Sequence, residues 1–195
     1  MICITTPKFS VYDYGYIGKN GKPTPNPRPF NAATLTEMYQ YITGGYAKNE
    51  TEALRNIVSH DEAQQYKALH FRTMSPAGLF RYRNAKSLIK HSGLMVIDID
   101  GIASHKRLMQ IREQLLNDKV FQTQLLFISP SGNGLKWIIY VADMEGNSHS
   151  SFFNKVRIYL SNVYGIEADK SGSDVCRICY LPHDPSCYIN PELLD

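Results

Sequence analysis

Long apolar runs are missing from this 195-residue chain, and none reaches the roughly 18 consecutive apolar residues that a membrane-spanning helix needs. The start, MICITTPKFSVYDYG, lacks the basic beginning and apolar stretch of a secretory signal. A soluble, cytoplasmic protein with no membrane partner is therefore expected. Cysteine is sparse, with 4 in all (Cys3, Cys176, Cys179, Cys187), and in that compartment these are expected to be reduced thiols. No Walker A sequence is present, which excludes a P-loop helicase motor. The 6 histidines form no His-x-His pair, which argues against a metal-dependent nicking enzyme of the rolling-circle type. Charge of one sign is nearly cancelled, 21 basic against 18 acidic residues, for a net +3. That permits a nucleic-acid or nucleotide partner without demanding one. What the chain does have is ordinary globular composition: 43% hydrophobic and 20% charged residues exclude wholesale disorder, and the length suffices for one domain with a real core.

The N-terminal third reads as a strand and a Gly/Pro-rich loop, GKNGKPTPNPRPFN, followed by helices. Leu35, Met38, Tyr39 and Ile42 have helical spacing, and Gly44-Gly45 ends that helix. Leu54, Ile57 and Val58 mark a second helix, Asp61 to Tyr66 a short third, and ALHFRTM a strand. Further on, LMVIDID is an apolar strand ending in acids. Leu108, Ile111, Leu115 and Leu116 define a helix with Ser104 as N-cap. QLLFISP and LKWIIYV form a hairpin across SGNG. A helix from Ser148 to Tyr164 uses Phe152, Phe153, Val156, Tyr159, Leu160 and Val163 as its apolar face, and DVCRICYL is the last strand. The order β-α-β-β-α-β is that of a ferredoxin-like or RRM-like split unit. The expected fold class is thus α+β, an RRM-like sheet with helices plus a small N-terminal α/β unit. The expected organisation is a single domain over 1–195, divided into a unit at 1–90 and an RRM-like unit at 91–195.

Three segments carry chemistry. Asp98 and Asp100 are two apart at a strand end, so their carboxylates share one face, and Mg²⁺ or Mn²⁺ would relieve the repulsion between them. The plainer alternative is two solvated acids, since D-x-D is common. The second segment runs from Ser129 to Lys136. The small residues Ser131, Gly132, Asn133 and Gly134 let backbone N–H groups approach an anion, and the Lys136 ammonium could meet a phosphate. An ordinary hairpin turn uses the same residues. The third, Asp169 to Arg177, offers Asp169 or Asp174 as a further metal ligand and Arg177 for phosphate, or else is a plain polar connection. Cys176, Cys179, His183 and Cys187 have a spacing superficially suited to zinc. Cys176 and Cys179, however, would face opposite sides of a strand, so buried thiols are the expectation. Finally His70, Arg72, Arg81, Arg83, Lys86 and Lys90 interleave with Tyr66, Phe71, Phe80 and Tyr82 where acids are scarce. That mixture suits phosphate tracking with base stacking on single strands, and equally a solvated basic face over core aromatics.

The motifs MVIDID, SPSGNGLK and EADKSGSDVCRICYLPHDP stand in the order seen in the archaeo-eukaryotic primase (primase-polymerase) superfamily. The chain resembles more closely the VirE N-terminal-like domains of mobile-element and phage-like proteins. This likeness extends upstream through EMYQYITGGYAKNETEALRN, YKALHF and PAGLFRYRNAKSLIKHSGLMVIDIDGI. The resemblance implies a metal-dependent nucleotidyltransferase in which Asp98, Asp100 and Asp169 (with Asp174 as competitor) hold one or two divalent ions. Ser129, Ser131, Gly132, Asn133, Gly134, Lys136 and Arg177 would bind a nucleoside triphosphate. His70, Arg72, Arg81, Arg83 and Lys90 would bind single-stranded DNA, and a helicase would be a further partner. Lys136 stands where many active members carry His. It keeps the charge but not the flat imidazole, so a catalytically inactive nucleic-acid or helicase-binding module is the alternative.

Overall fold

Alternation in LMVIDI puts Leu94, Val96 and Asp98 on one face of a strand and Met95, Ile97 and Ile99 on the other, and all six are buried. A strand buried on both faces must be covered on both, and the rest of the chain supplies two covering layers. The computed structural model describes residues 6–141 and 148–194; Cys3 and the start of the first expected strand lie outside them. In chain order the elements are β1 (Phe9–Tyr12), β2 (Tyr16–Ile17), β3 (Pro23–Thr24), β4 (Pro29–Ala33), α1 (Leu35–Thr43), α2 (Lys48–Arg55) and α3 (His60–His70). There follow β5 (Thr73–Ser75), β6 (Gly78–Phe80), β7 (Leu88–His91), β8 (Leu94–Ile99), α4 (His105–Leu116), β9 (Thr123–Ile128), β10 (Leu135–Tyr140), α5 (His149–Tyr164), β11 (Cys179–Tyr180) and β12 (Tyr188–Ile189). The architecture is mixed α+β. No helix among the described residues is long and apolar enough to cross a membrane.

The central sheet has the order β12-β9-β10-β8 and a second sheet the order β11-β5-β1-β4, every pairing antiparallel. One face of the central sheet (Met95, Ile97, Leu126, Leu135, Trp137, Ile139) packs on Leu108, Ile111 and Leu115 of α4 and on Phe153, Val156 and Leu160 of α5. The other face (Leu94, Val96, Leu125, Phe127, Ile138) packs on Phe9, Val11 and Met74 of the second sheet and on Leu35, Met38 and Ile42 of α1. The single tryptophan is fully buried, and its indole N–H is satisfied by the Thr123 hydroxyl at 2.7 Å. Helix starts follow the capping rules: Thr34 makes a reciprocal capping box with Glu37, and Ser104 and Ser148 accept from Arg107 N–H and Ser151 N–H.

Three expectations change. The second helix ends at Arg55, leaving Val58 in solvent. The third runs on to His70, so ALH is its last turn and the next strand begins at Thr73. The last strand shrinks to Cys179–Tyr180 and pairs with β5 rather than beside β8. Its expected first half is turned instead: Asp169 caps a 3-10 turn at Lys170–Ser173, and Arg177 N–H donates to Asp174 O at 2.9 Å. β8-α4-β9-β10-α5 keeps the split order, while the closing strand crosses to the other sheet.

That turn is anchored by two histidines. Gly93 N–H donates to His91 Nδ1 (3.0 Å), His91 Nε2 lies 3.3 Å from His149 Nδ1, and His149 Nε2 lies 3.2 Å from Gly172 O. The chain is consistent when both rings are neutral with the proton on Nε2. Burial pushes both imidazoles below their ordinary value. A base with a lowered folded-state pKa adds stability that is complete above its unfolded value of about 6.5 and is lost as pH falls. Thermal melts should therefore drop between about pH 6.5 and 5, and a His91→Gln/His149→Gln variant should show a flatter profile across that window.

Candidate metal and phosphate site

Register puts Lys136 of β10 directly opposite Asp98 of β8. Opposite residues of an antiparallel pair share a face, so the ion pair between Lys136 Nζ and Asp98 Oδ1 follows from the strand pairing. Both side chains are more than 90% buried, at 9% and 7% exposure. Asp100 lies just beyond β8 and is exposed; its Oδ1 is 3.7 Å from Lys136 Nζ. Gly101, with φ of 67°, turns the chain away immediately after it. Asp169 arrives from the far side of α5. Its N–H donates to Asp98 O at 2.8 Å, and its carboxylate accepts from Ser171 N–H (3.0 Å) and hydroxyl (2.7 Å). Arg177 Nη2 lies 3.4 Å from Asp169 Oδ2 and 3.7 Å from Asp98 Oδ2. One carboxylate oxygen from each of Asp98, Asp100 and Asp169 falls within 4.8 Å of the others, and no other group of three ligating side chains occurs among the described residues.

Burial pushes Asp98 above the ordinary carboxylate value and Asp100 adds to this, while Lys136 and Arg177 pull against both. Burial alone would lower Lys136, but the Asp98 charge outweighs it and holds the ammonium protonated. For Asp169 burial is again the largest influence, yet the Ser171 hydrogen bonds with Arg177 and Lys136 prevail and keep it below the usual range. Lys136 and Arg177 are the cations within 4 Å of these three carboxylates.

The glycine loop stands beside the acids. Ser129 N–H donates to Gly134 O (2.8 Å), Gly132 N–H donates to Ser129 O (2.9 Å), and Ile102 N–H donates to Asn133 O (2.9 Å), which ties the loop to the chain just past Asp100. A Cβ at Gly134 would lie 2.7 Å from Ile99 O, 2.8 Å from Asp100 Oδ1 and 3.0 Å from Ser129 Oγ, so only glycine leaves this space open. The Ser129 hydroxyl oxygen is buried beside that space with no hydrogen-bond partner. Gly132 has φ of 82°, while Ser131 and Asn133 are exposed.

The other expected residues lie elsewhere. Asp174 is outside the acid cluster; its carboxylate accepts from Cys176 N–H at 3.0 Å and from the Cys176 thiol. Arg72 is committed to Asp13 (3.1 Å) and to surrounding rings. His70 stacks on Tyr66 with centroids 4.1 Å apart, Arg81 and Lys90 are exposed, and Arg83 is half-buried. The four zinc-like positions diverge: the Cys179 and Cys187 thiols face the carbonyls of Tyr180 and Tyr188, and His183 Nδ1 faces Ile42 O. Burial holds the Cys179 thiol up at about 12.

Two cations at the site escaped the sequence reading. Arg55, at the end of α2, donates from Nε to Pro130 O at 3.2 Å and lies against Gly132. Lys67, on α3, is lowered by burial, and the charges acting on it are those of Asp100, Lys136, Asp98 and Arg177. Neither had a local signal; helix packing alone brings them to the loop.

A family model described as BT4734-like, N-terminal domain matches residues 65–189, well over half of the chain. The chain belongs to this family. The matched segment of this BT4734-like domain contains all three clustered acids, the glycine loop, Lys136 and Arg177. Among solved structures, the polymerase domain of Mycobacterium tuberculosis ligase D in complex with DNA aligns at 16% identity with a TM-score of 0.42. That alignment covers 62% of this chain and 48% of the other, so the chain spans about half of its length. No curated protein matches.

Removing one partner of a buried ion pair strands the other charge. Lys136→Met should cost about 3 kcal/mol in urea denaturation, and Asp98→Asn/Lys136→Met should recover most of the loss.

Proposed function

We propose that this BT4734-like domain is a primase-polymerase-type nucleotidyltransferase domain, of the VirE N-terminal-like kind, that binds a nucleoside triphosphate with a divalent ion and acts on single-stranded nucleic acid in mobile-element replication. The 195 residues are read as one domain. The observation that carries the reading is the convergence of Asp98, Asp100 and Asp169 opposite Lys136 and Arg177, with the open space at Gly134 alongside.

The residues fit a hard divalent ion. The donors are carboxylate oxygens from three residues within 4.8 Å of one another, and an orphaned hydroxyl at Ser129 faces the same cradle. Asp98, Asp100 and Asp169 would hold Mg²⁺ or Mn²⁺. Such an ion, when bound, supplies charge neutralisation at the attacking and leaving oxygens of a phosphoryl transfer. The chain's own groups do the rest. Lys136 is released from Asp98 toward a phosphate as the incoming charge competes for it. The Arg177 guanidinium offers a second, forked contact. Backbone N–H groups of Ser131, Asn133 and Gly134 would approach the phosphate oxygens, and the Asp169 side chain is kept ionised and oriented by Ser171. Arg81, Arg83 and Lys90 lie on the side proposed to meet the nucleic acid.

A second reading rests on one observation. Lys136 already neutralises Asp98, so a pair that never opens would leave a binding module without turnover, for DNA or a helicase partner. Calorimetric titration with a nucleoside triphosphate and Mn²⁺ tests the site. Binding should require the metal and weaken about a hundredfold in Asp98→Ala/Asp100→Ala, and unchanged affinity in that variant would remove the reading. Primer synthesis on a single-stranded template then separates the enzyme from the module.

A further inference from the structure

Residues 14–36 contain three cations, Lys19, Lys22 and Arg28, and no Asp or Glu. The same segment holds large side chains in solvent: Tyr14 is 44% exposed, Tyr16 47%, Ile17 57% and Phe30 51%. Three exposed rings and an isoleucine within one short segment make an apolar patch of the kind that marks an interaction surface.

These rings are held in place rather than left loose. The β2–β3 hairpin sits on α3: Gly15 N–H donates to Ala68 O at 3.1 Å, and a Cβ at Gly15 would lie 2.1 Å from that oxygen. The Arg72 guanidinium carbon is 5.3 Å from the Tyr14 ring centre, 5.2 Å from Phe30 and 5.9 Å from Tyr41, and Asp13 fixes it at 3.1 Å. One cation thus braces three rings from one side while Tyr14 and Phe30 keep about half their surface in water. Arg83 N–H donates to Pro27 O at 2.8 Å, which joins this loop to exposed Arg81 and to Tyr82.

We propose that Tyr14, Tyr16, Phe30 and Tyr82, with Lys19, Lys22, Arg28 and Arg81, form a stacking surface that binds single-stranded nucleic acid. Every base has a face that stacks on an aromatic ring, and uncompensated cations take the phosphates. The flanking carboxylate Asp13 is taken up by Arg72, so Lys19, Lys22 and Arg28 face solvent with no acid within their segment, the charge complement of a phosphate backbone. The inference rests on the reading of the chain as acting on nucleic acid, but not on turnover.

Fluorescence anisotropy with a dye-labelled oligo(dT) tests it on the full chain. The wild type should bind, more weakly as salt rises, and better than a duplex of equal length. Tyr14→Ala/Phe30→Ala should lose about tenfold or more, whereas Tyr14→Trp/Phe30→Trp should retain binding. Calorimetry with Mn²⁺ and nucleotide should be unchanged in both, since neither ring touches the acids. Thermal melts monitor folding. If the alanine variant does not fold, Lys19→Glu/Lys22→Glu/Arg28→Glu, all on exposed side chains, should abolish oligo(dT) binding. Oligo(dT) binding that is absent in the wild type, or equal in the wild type and the folded variants, overturns the surface and leaves the nucleotide site standing. Ring-dependent binding with no metal-dependent nucleotide binding supports the surface and removes the nucleotide site.

Discussion

A lysine and an aspartate face each other across two paired strands at the mouth of a hydrophobic layer, and the rest of the site is arranged around that pair. Taking two charges out of water costs several kcal/mol per ion, and their attraction seldom does more than repay it. The pair is therefore a poor way to stabilise a sheet. It is a good way to store a charge that can be handed over. Burial pushes Asp98 up, and Lys136 and Arg177 pull it back toward the ionised form. In the proposed function the three carboxylates would hold a divalent ion, and the ammonium would turn to a phosphate. The strand register sets Lys136 opposite Asp98, and a slip of one residue in either strand would put the two groups on opposite faces.

The surrounding fold delivers five separated segments to that point. β8 brings Asp98 and Asp100, the β9–β10 hairpin brings the glycine loop and Lys136, and the turn after α5 brings Asp169 and Arg177. α2 and α3 bring Arg55 and Lys67. A single backbone hydrogen bond, Asp169 N–H to Asp98 O, fastens the third acid to the first strand. The two histidines that brace Gly172 hold the same turn from behind. The acids thus sit on regular elements and a clamped turn, which is what a site needing sub-ångström placement requires.

Much of this was legible because it is local. Short apolar runs in LMVIDI and LKWIIY identified the central strands, Ser104 and Ser148 announced their helices, and the small residues of SGNG marked the hairpin. The resemblance favoured Asp169, which ends the short hydrophobic segment 166–168, over Asp174; the Asp169 N–H bond to Asp98 O sets it beside β8, whereas Asp174 is used up in capping Cys176. The departures are all long-range. Helix α3 outran its expected end because packing against the β2–β3 hairpin extends it. DVCRICYL left the central sheet because its first half is coiled into turns that local propensity did not reveal. Arg72 looked like a free cation for phosphate, and only tertiary structure shows it enclosed by rings and Asp13.

The central claim is that the three carboxylates accept a divalent ion in place of the Lys136 ammonium. A crystal structure with Mn²⁺ and a non-hydrolysable nucleoside triphosphate, with the metal located by its anomalous scattering, addresses it most directly. The account predicts manganese bound by oxygens of Asp98, Asp100 and Asp169 with Lys136 turned onto the phosphates. Manganese found elsewhere or nowhere, with Lys136 still seated on Asp98, would contradict it.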